Sequence, residues 1–200
     1  MVTISSIDPY RESEVVQQLV EAYASVFGEE PWNEGYRCPS CGEAFPLGSE
    51  LVFCPLCAKK GWSIPVVKYW PTETILTDFY REVGKPSARC LVAKDGDKVV
   101  GFAWGYDLVV GEGIDGSLEA PGLAMTLPAG VYYYGDEVAV LKEYRNRGIG
   151  TQLTESLFAG KIKVLLRTLA DSTMFRIIER LGGRAVLSIS RNRVIMTLER

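Results

Sequence analysis

The spacing of apolar residues changes several times along the chain, and each change marks an element. Val15, Val16, Leu19, Val20, Tyr23, Val26 and Phe27 recur at helical spacing and stop at Gly28, which predicts an amphipathic helix. Asp8-Pro9 ahead of it reads as an N-cap followed by proline at the first helical position, with room for an edge strand before Asp8. A second helix is expected over residues 72–83, with Ile75, Leu76 and Phe79 facing inward. The run "RCLVAKDGDKVVGFAWGYDLVV" holds two β-rich stretches joined at Asp95-Gly96-Asp97, so it predicts adjacent antiparallel strands and a tight turn. Residues 111–130 carry five glycines and two prolines and read as a long loop. Strand "VYYYGDEVAVL", helix "GIGTQLTESLFA", strand "KIKVLLRTL", helix "STMFRIIERLG" and strand "RVIMTLER" complete the order.

Residues 36–62 follow neither period and are rich in Cys, Pro, Gly and Lys, so they read as an insertion between 1–35 and 63–200. Cys38-Pro-Ser-Cys41 and Cys54-Pro-Leu-Cys57 are two CxxC pairs separated by twelve residues. Two such turns can close a tetrahedral shell of four thiolates, which predicts a zinc ribbon with one structural Zn2+. Iron in the same shell, or a redox dithiol pair, is the alternative reading. Four thiolates leave no open coordination position, so the expected role is structural, and loss of the metal would disorder the insertion. Cys90 lies in an apolar strand and reads as packing.

With 200 residues, 47% of them hydrophobic, the chain has material for one α/β domain and a small appendage. It contains no histidine, which excludes Ser-His-Asp and Cys-His mechanisms and any His-ligated metal. Its N-terminus lacks a basic start and apolar core, so a cytoplasmic location is expected, with no membrane partner. The charge is unevenly spread. Residues 1–36 hold one Arg against seven Asp/Glu, whereas residues 142–200 hold twelve Lys/Arg against five Asp/Glu. The basic end suits a polyphosphate ligand, while an acidic chain without a basic stripe makes nucleic acid an unexpected partner.

The chemistry concentrates where "VAVL" gives way to Arg145-Asn146-Arg147-Gly148-Ile149-Gly150 and a helix begins. No Lys-Ser/Thr follows Gly150, so this is not a P-loop, and Leu153 occupies the third glycine position of a dinucleotide turn. The pattern (Q/R)xxGx(G/A) between strand and helix does fit. "EVAVLKEYRNRGIGTQL" resembles the pyrophosphate loop of the GNAT acyltransferase superfamily, and "FGEEPWNE" is similar to an acceptor-side segment of some members. The resemblance implies an α/β (α+β) fold with a mixed, mostly antiparallel sheet flanked by helices. It also implies acetyl-coenzyme A as cosubstrate, its pyrophosphate on the N–H groups of Arg145, Asn146, Arg147, Gly148, Ile149, Gly150 and Thr151. Bare N–H groups at the positive end of a helix dipole, approached across glycine, supply the attraction.

The same resemblance places the thioester beside the preceding strand, where the N–H of Val138 or Val140 would polarise its carbonyl, with Thr173 helping to hold the coenzyme. It makes Glu137 the general base, with Asp136 as the alternative. On a regular strand these two carboxylates point to opposite faces, so only one would reach the cleft. The tyrosine acid of many members is replaced by Ile178, leaving solvent or the "YYY" of 132–134 as proton source. Two classes stay open: an N-acetyltransferase working by direct transfer in a ternary complex, or a zinc-ribbon interaction protein that binds acyl-coenzyme A without efficient catalysis. The expected acceptor is a primary amine, small-molecule or protein. Glu29, Glu30, Glu34, Glu112, Asp115 and Glu119 with Trp32, Trp104 and Tyr106 would suit a cationic one. A homodimer is left open.

Overall fold

The computed structural model describes residues 1–111, 122–189 and 192–199. Its elements begin with β1 (Val2–Ser6), α1 (Ser13–Gly28), β2 (Tyr36–Arg37), β3 (Ala44–Phe45), α2 (Pro55–Ala58), β4 (Val67–Lys68) and α3 (Thr72–Val83). There follow β5 (Arg89–Asp95), β6 (Lys98–Val110), α4 (Leu123–Thr126), β7 (Gly130–Val140), α5 (Ile149–Leu157), β8 (Lys163–Leu169), α6 (Thr173–Arg180), β9 (Arg184–Ser188) and β10 (Arg193–Glu199). A 3-10 turn at Lys142–Tyr144 links β7 to α5.

Among the described residues seven strands form one sheet in the order β1-β5-β6-β7-β8-β10-β9, and β2, β3 and β4 form a small second sheet. In the large sheet only β7 and β8 run parallel. The β5–β6 hairpin turns at Gly96-Asp97 as its sequence dictates, with Asp95 opposite Lys98 and Gly96 at φ +59°. Helices α1 and α3 pack on each other and on β6, α5 covers β5, β6 and β7, and α6 lies on β8 and β10. Leu19, Phe79, Phe102, Leu153, Leu157 and Ile178 are buried in the resulting core. Each large apolar side chain removed from water contributes roughly 1.5–3 kcal/mol.

Three expectations change. Helix α1 starts at Ser13, not after Asp8: the N–H groups of Arg11 and Glu12 bond the Asp8 carbonyl and Asp8 Oδ1 accepts from Tyr10 N–H, so Asp8-Pro9 opens a separate turn. Strand β9 was not expected, because a five-residue edge strand with no fully buried position lacks a period to read. The loop expected at 111–130 contains the short helix α4, while Glu112, Asp115 and Glu119 lie outside the described residues.

Candidate active site

The site begins where the sheet comes apart. Strands β7 and β8 pair only through Tyr133–Val164, Tyr134–Leu165 and Gly135–Leu166, while β7 stays with β6 as far as Val140. Beyond Gly135 the edge of β7 that faced β8 therefore opens onto a gap. Leu141 N–H donates to the Val100 carbonyl. Backbone N–H direction alternates along a strand, so the N–H groups of Val138 and Val140 point away from β6, into the gap. These are the two candidates for the donor expected to face a thioester. Arg145 Nε donates to the Val140 carbonyl at 3.0 Å and pins the following loop to the strand end.

A groove of about 650 Å³ runs from this gap along the start of α5. Val138 and Val140 line it from the strand, Arg145, Asn146, Gly148, Ile149, Gly150 and Thr151 from the loop and helix, and Thr173 from α6. Arg147 does not line it: its guanidinium is exposed, donates to the Glu143 carbonyl at 2.8 Å and lies over Tyr144. No side chain caps α5, and its N-cap Gly148 is left-handed at φ +78°. Helix α6 makes the contrast, since Ser172 Oγ accepts from Phe175 N–H there. The first-turn N–H groups of α5 thus face the groove without intrahelical partners, as an anion site requires. At Gly150 a Cβ would meet Ile177 and Val140 at 3.7 and 3.8 Å, ordinary contact distances, so packing does not demand glycine there. Clearance on the groove side is what the missing side chain provides, and the arrangement fits a diphosphate.

On the other side of the gap lies a second cavity of about 500 Å³, lined by carboxylates and aromatic rings. Both Asp136 and Glu137 line it, against the expectation that only one would. The cause is a β-bulge: Trp104 pairs with Glu137 and Gly105 with Gly135, leaving Asp136 as an extra residue on β7. The bulge needs its glycines. A Cβ on Gly105 would lie 2.3 Å from the Tyr134 carbonyl oxygen, and one on Gly135 would lie 2.6 Å from the Phe158 ring.

Tyr23 O–H, from α1, donates to Glu137 Oε1 at 3.2 Å. Trp104 Nε1–H donates to Glu82 Oε2 at 2.8 Å, and Trp70 Nε1–H to Glu34 Oε2 at 3.0 Å. Burial, then the charge of Glu82, pushes Glu137 up to about 8. Burial, then the charge of Asp136, pushes Glu82 up to about 8, and burial holds Asp136 at about 6. Glu82 and Asp136 each perturb the other's proton affinity, and Asp136 Oδ2 is buried with no hydrogen-bond partner among the described residues. Of the acidic set expected at the acceptor, Glu34 lines this cavity with Trp32, Trp104 and Tyr106, whereas Glu29 and Glu30 do not. Four basic side chains also reach it, Arg81, Lys85, Arg167 and Arg193.

Groove and cavity meet at Trp32, Val138, Thr168 and Met174, which line both. The sequence reading took Tyr23 as core and missed Glu82, Thr168 and Arg167 entirely. Helical periodicity put Tyr23 on the inner face of α1, and nothing in a single sequence announces that α3 and β8 bring Glu82 and Arg167 to the end of β7. Ile178 is wholly buried, so α6 offers no acid at that position. In the "YYY" run, Tyr132 and Tyr133 donate to the carbonyls of Pro128 and Gly105. Cys90 is buried, and burial raises its thiol to about 12, which leaves it inert as a nucleophile.

The cysteines form a separate centre. Cys38, Cys41, Cys54 and Cys57 place their sulfurs within 4.8 Å of one another, with Cys38–Cys57 and Cys41–Cys54 each at 3.7 Å. A tetrahedral ion with metal–sulfur bonds of about 2.3 Å has sulfurs about 3.8 Å apart, so the donor set fits Zn2+. The small sheet around it extends to β4, past residue 62, and is tied to the carboxylate-lined cavity by its two ends: Tyr69 N–H donates to the Gly35 carbonyl, next to the Trp70–Glu34 bond.

The sequence pattern of the Acetyltransferase (GNAT) family matches residues 58–160. Among solved structures the chain is similar to PH1933 of Pyrococcus horikoshii OT3 (15% identity, 100% and 99% of the two chains covered, TM-score 0.58). It is also similar to the PaiA N-acetyltransferase of Thermoplasma acidophilum, solved with coenzyme A (11% identity, 100% and 99% covered, TM-score 0.57). The third is Arabidopsis thaliana NAA60, solved with a bisubstrate analogue (13% identity, 100% and 98% covered, TM-score 0.52). Among curated proteins none matches. At these identities the solved structures establish the fold, and the pattern over residues 58–160 establishes the lineage: the chain belongs to the acetyltransferase (GNAT) family.

Proposed function

We propose that the protein is an N-acetyltransferase that passes the acetyl group of acetyl-coenzyme A directly to a primary amine, with a structural Zn2+ held by Cys38, Cys41, Cys54 and Cys57. The observation that carries this reading is the meeting of an uncapped-helix groove and a carboxylate-lined cavity at Val138 and Thr168. The coenzyme's diphosphate would lie on the N–H groups of Gly148 to Thr151, at the uncapped start of α5 that lines the groove. The acceptor amine would enter from the cavity side.

In this mechanism the amine nitrogen forms a bond to the thioester carbon, the carbon–sulfur bond breaks, and the amine's proton passes to Glu137. The Val138 and Val140 N–H groups receive the negative charge that develops on the carbonyl oxygen, and being fixed by the strand they need no reorganisation. Glu137, raised to about 8, becomes a carboxylate as pH approaches 8 and in that form takes the amine's proton, with Tyr23 O–H holding the carboxylate in place. The departing thiolate takes its proton from solvent, a thiol of pKa near 8.5 being a tolerable leaving group.

The test is acetyl-coenzyme A binding by calorimetry together with acetylation of an amine panel read by product mass spectrometry. Saturable binding and acetylated product are expected. Binding without any product would leave the non-catalytic reading, which the isoleucine at 178 favours, and no binding would overturn both.

A further inference from the structure

Among the described residues, one cation of this cavity has no hydrogen-bond or ion-pair partner. Arg81 is paired with Asp78 at 2.7 Å and with Glu82, Arg193 with Glu34 at 3.7 Å, and Lys85 lies over the Tyr106 ring at 3.9 Å. Arg167 is half-buried and lines the same cavity, yet among the described residues it makes neither a hydrogen bond nor an ion pair within 4.0 Å. Removing a guanidinium from water without giving its donors acceptors is costly, and the cost is recovered when an anion arrives. The carboxyls whose charge it feels are Glu34, Asp136 and Glu137. Burial keeps Glu137 protonated below about 8, so near neutrality that carboxyl does not neutralise the guanidinium.

Its position in the fold matters as much as its charge. Arg167 follows Leu166, the last residue at which β8 touches β7, and precedes Thr168, which lines both groove and cavity. It therefore stands at the edge of the gap into which Val138 N–H points. A ligand that placed a carboxylate on Arg167 would hold a neighbouring amine close to that gap and to Glu137.

We propose that the acceptor is an α-amino acid or a small molecule built like one, its carboxylate bound by Arg167 and its amine presented to Glu137. Aromatic rings of Tyr23, Trp70 and Trp104 then face the rest of the molecule. A peptide N-terminus, which lacks a carboxylate on the carbon bearing the amine, would leave Arg167 unpaired. A purely cationic amine would meet it as a like charge. This inference rests on the N-acetyltransferase reading but concerns binding, which can be measured without turnover.

The experiment uses the 200-residue chain, saturated with coenzyme A for binding and supplied with acetyl-coenzyme A for turnover. The probes are the twenty common α-amino acids, each set against its carboxamide. At least one amino acid should bind by calorimetry, and be acetylated with a kcat/KM at least tenfold above its carboxamide. Arg167→Met should erase that preference through KM, leaving the carboxamide's kcat/KM within about threefold, and Arg167→Lys should restore part of it. A residue that only balances the buried carboxyls would move both acceptors alike, and that result would overturn the proposal. So would carboxamides serving as well as amino acids in the unsubstituted protein, or no amino acid binding at all. Amino acids that bind without being acetylated would sink the enzyme reading and leave the anchor standing, whereas acetylation confined to amines lacking the carboxylate would do the reverse.

Discussion

The groove beside α5 and the cavity beside the β7 bulge lie on either side of one gap, yet they are built differently. The groove works with main-chain groups: the N–H donors of Val138 and Val140 and of an uncapped helix, with glycines at 148 and 150 to clear the approach. The cavity works with side chains drawn from α1, α3, β6, β7 and β8. A backbone site depends on a short, continuous stretch, whereas a side-chain site depends on the whole fold holding distant residues in register. Substitutions should therefore separate the two halves, with coenzyme binding and acceptor chemistry failing independently.

The largest separation is expected at Glu137. Glu137→Gln should lower kcat by about a thousandfold, within the range general-base catalysis supplies, while the calorimetric Kd for acetyl-coenzyme A stays within twofold. Gly150→Glu is the converse case. A carboxylate in the first turn repels the diphosphate, so coenzyme binding should weaken by about a hundredfold, roughly 2.7 kcal/mol. Because a Cβ at 150 meets only ordinary contacts, the melting temperature should hold, and a drop of many degrees would show that glycine serves packing after all.

A third prediction crosses between regions. Trp32, Glu34, Tyr69 and Trp70 flank the cysteine ribbon and line the carboxylate-lined cavity, the proposed acceptor side. Stripping the metal with a chelator, or Cys54→Ser, should raise the acceptor KM by about tenfold and leave coenzyme affinity unchanged, since a ribbon this small folds largely through its metal. Elemental analysis should find one zinc per chain, and a value near zero with intact KM would break the link.

The two smaller effects are pH-dependent. Glu137 must lose its proton to act, so kcat/KM should rise as pH climbs through about 8, and the Gln variant should lack that limb. Stability runs the other way. Glu82 keeps its proton in the folded protein up to about 8, whereas in the unfolded chain it gives it up near 4.5. Its contribution is whole below about 4.5 and is lost as pH rises towards 8. Glu82→Gln, which preserves an acceptor for Trp104, should flatten that decline by a few degrees of melting temperature between pH 5 and 8, as differential scanning calorimetry would register.

The same division governs how much could be read from the chain. Arg145 to Gly150 and the paired CxxC turns are local, and their chemistry is visible in the order of residues alone. The β5–β6 hairpin and α3 were legible for the same reason: a Gly96 turn and a helical period are properties of neighbours. Glu82, Arg167 and Tyr23 are not, because each sits in an element whose pattern describes burial and says nothing of what the opposite wall carries. Asp136 is the sharpest case. Strict alternation admits only one of Asp136 and Glu137 to the cleft, and a bulge set by the close approach at Gly105 and Gly135 brings in both.

That bulge also marks a position where the chain could be shortened without disturbing the sheet. Since Gly105 pairs with Gly135 and Trp104 with Glu137, deletion of Asp136 would heal the ladder and leave every later partner of β7 where it is. Glu137 and the N–H groups of Val138 and Val140 would keep their places, and the cavity would lose one carboxyl. On the acetyltransferase reading, a single-codon deletion would therefore reshape the acceptor side of the gap and leave the coenzyme side unaltered.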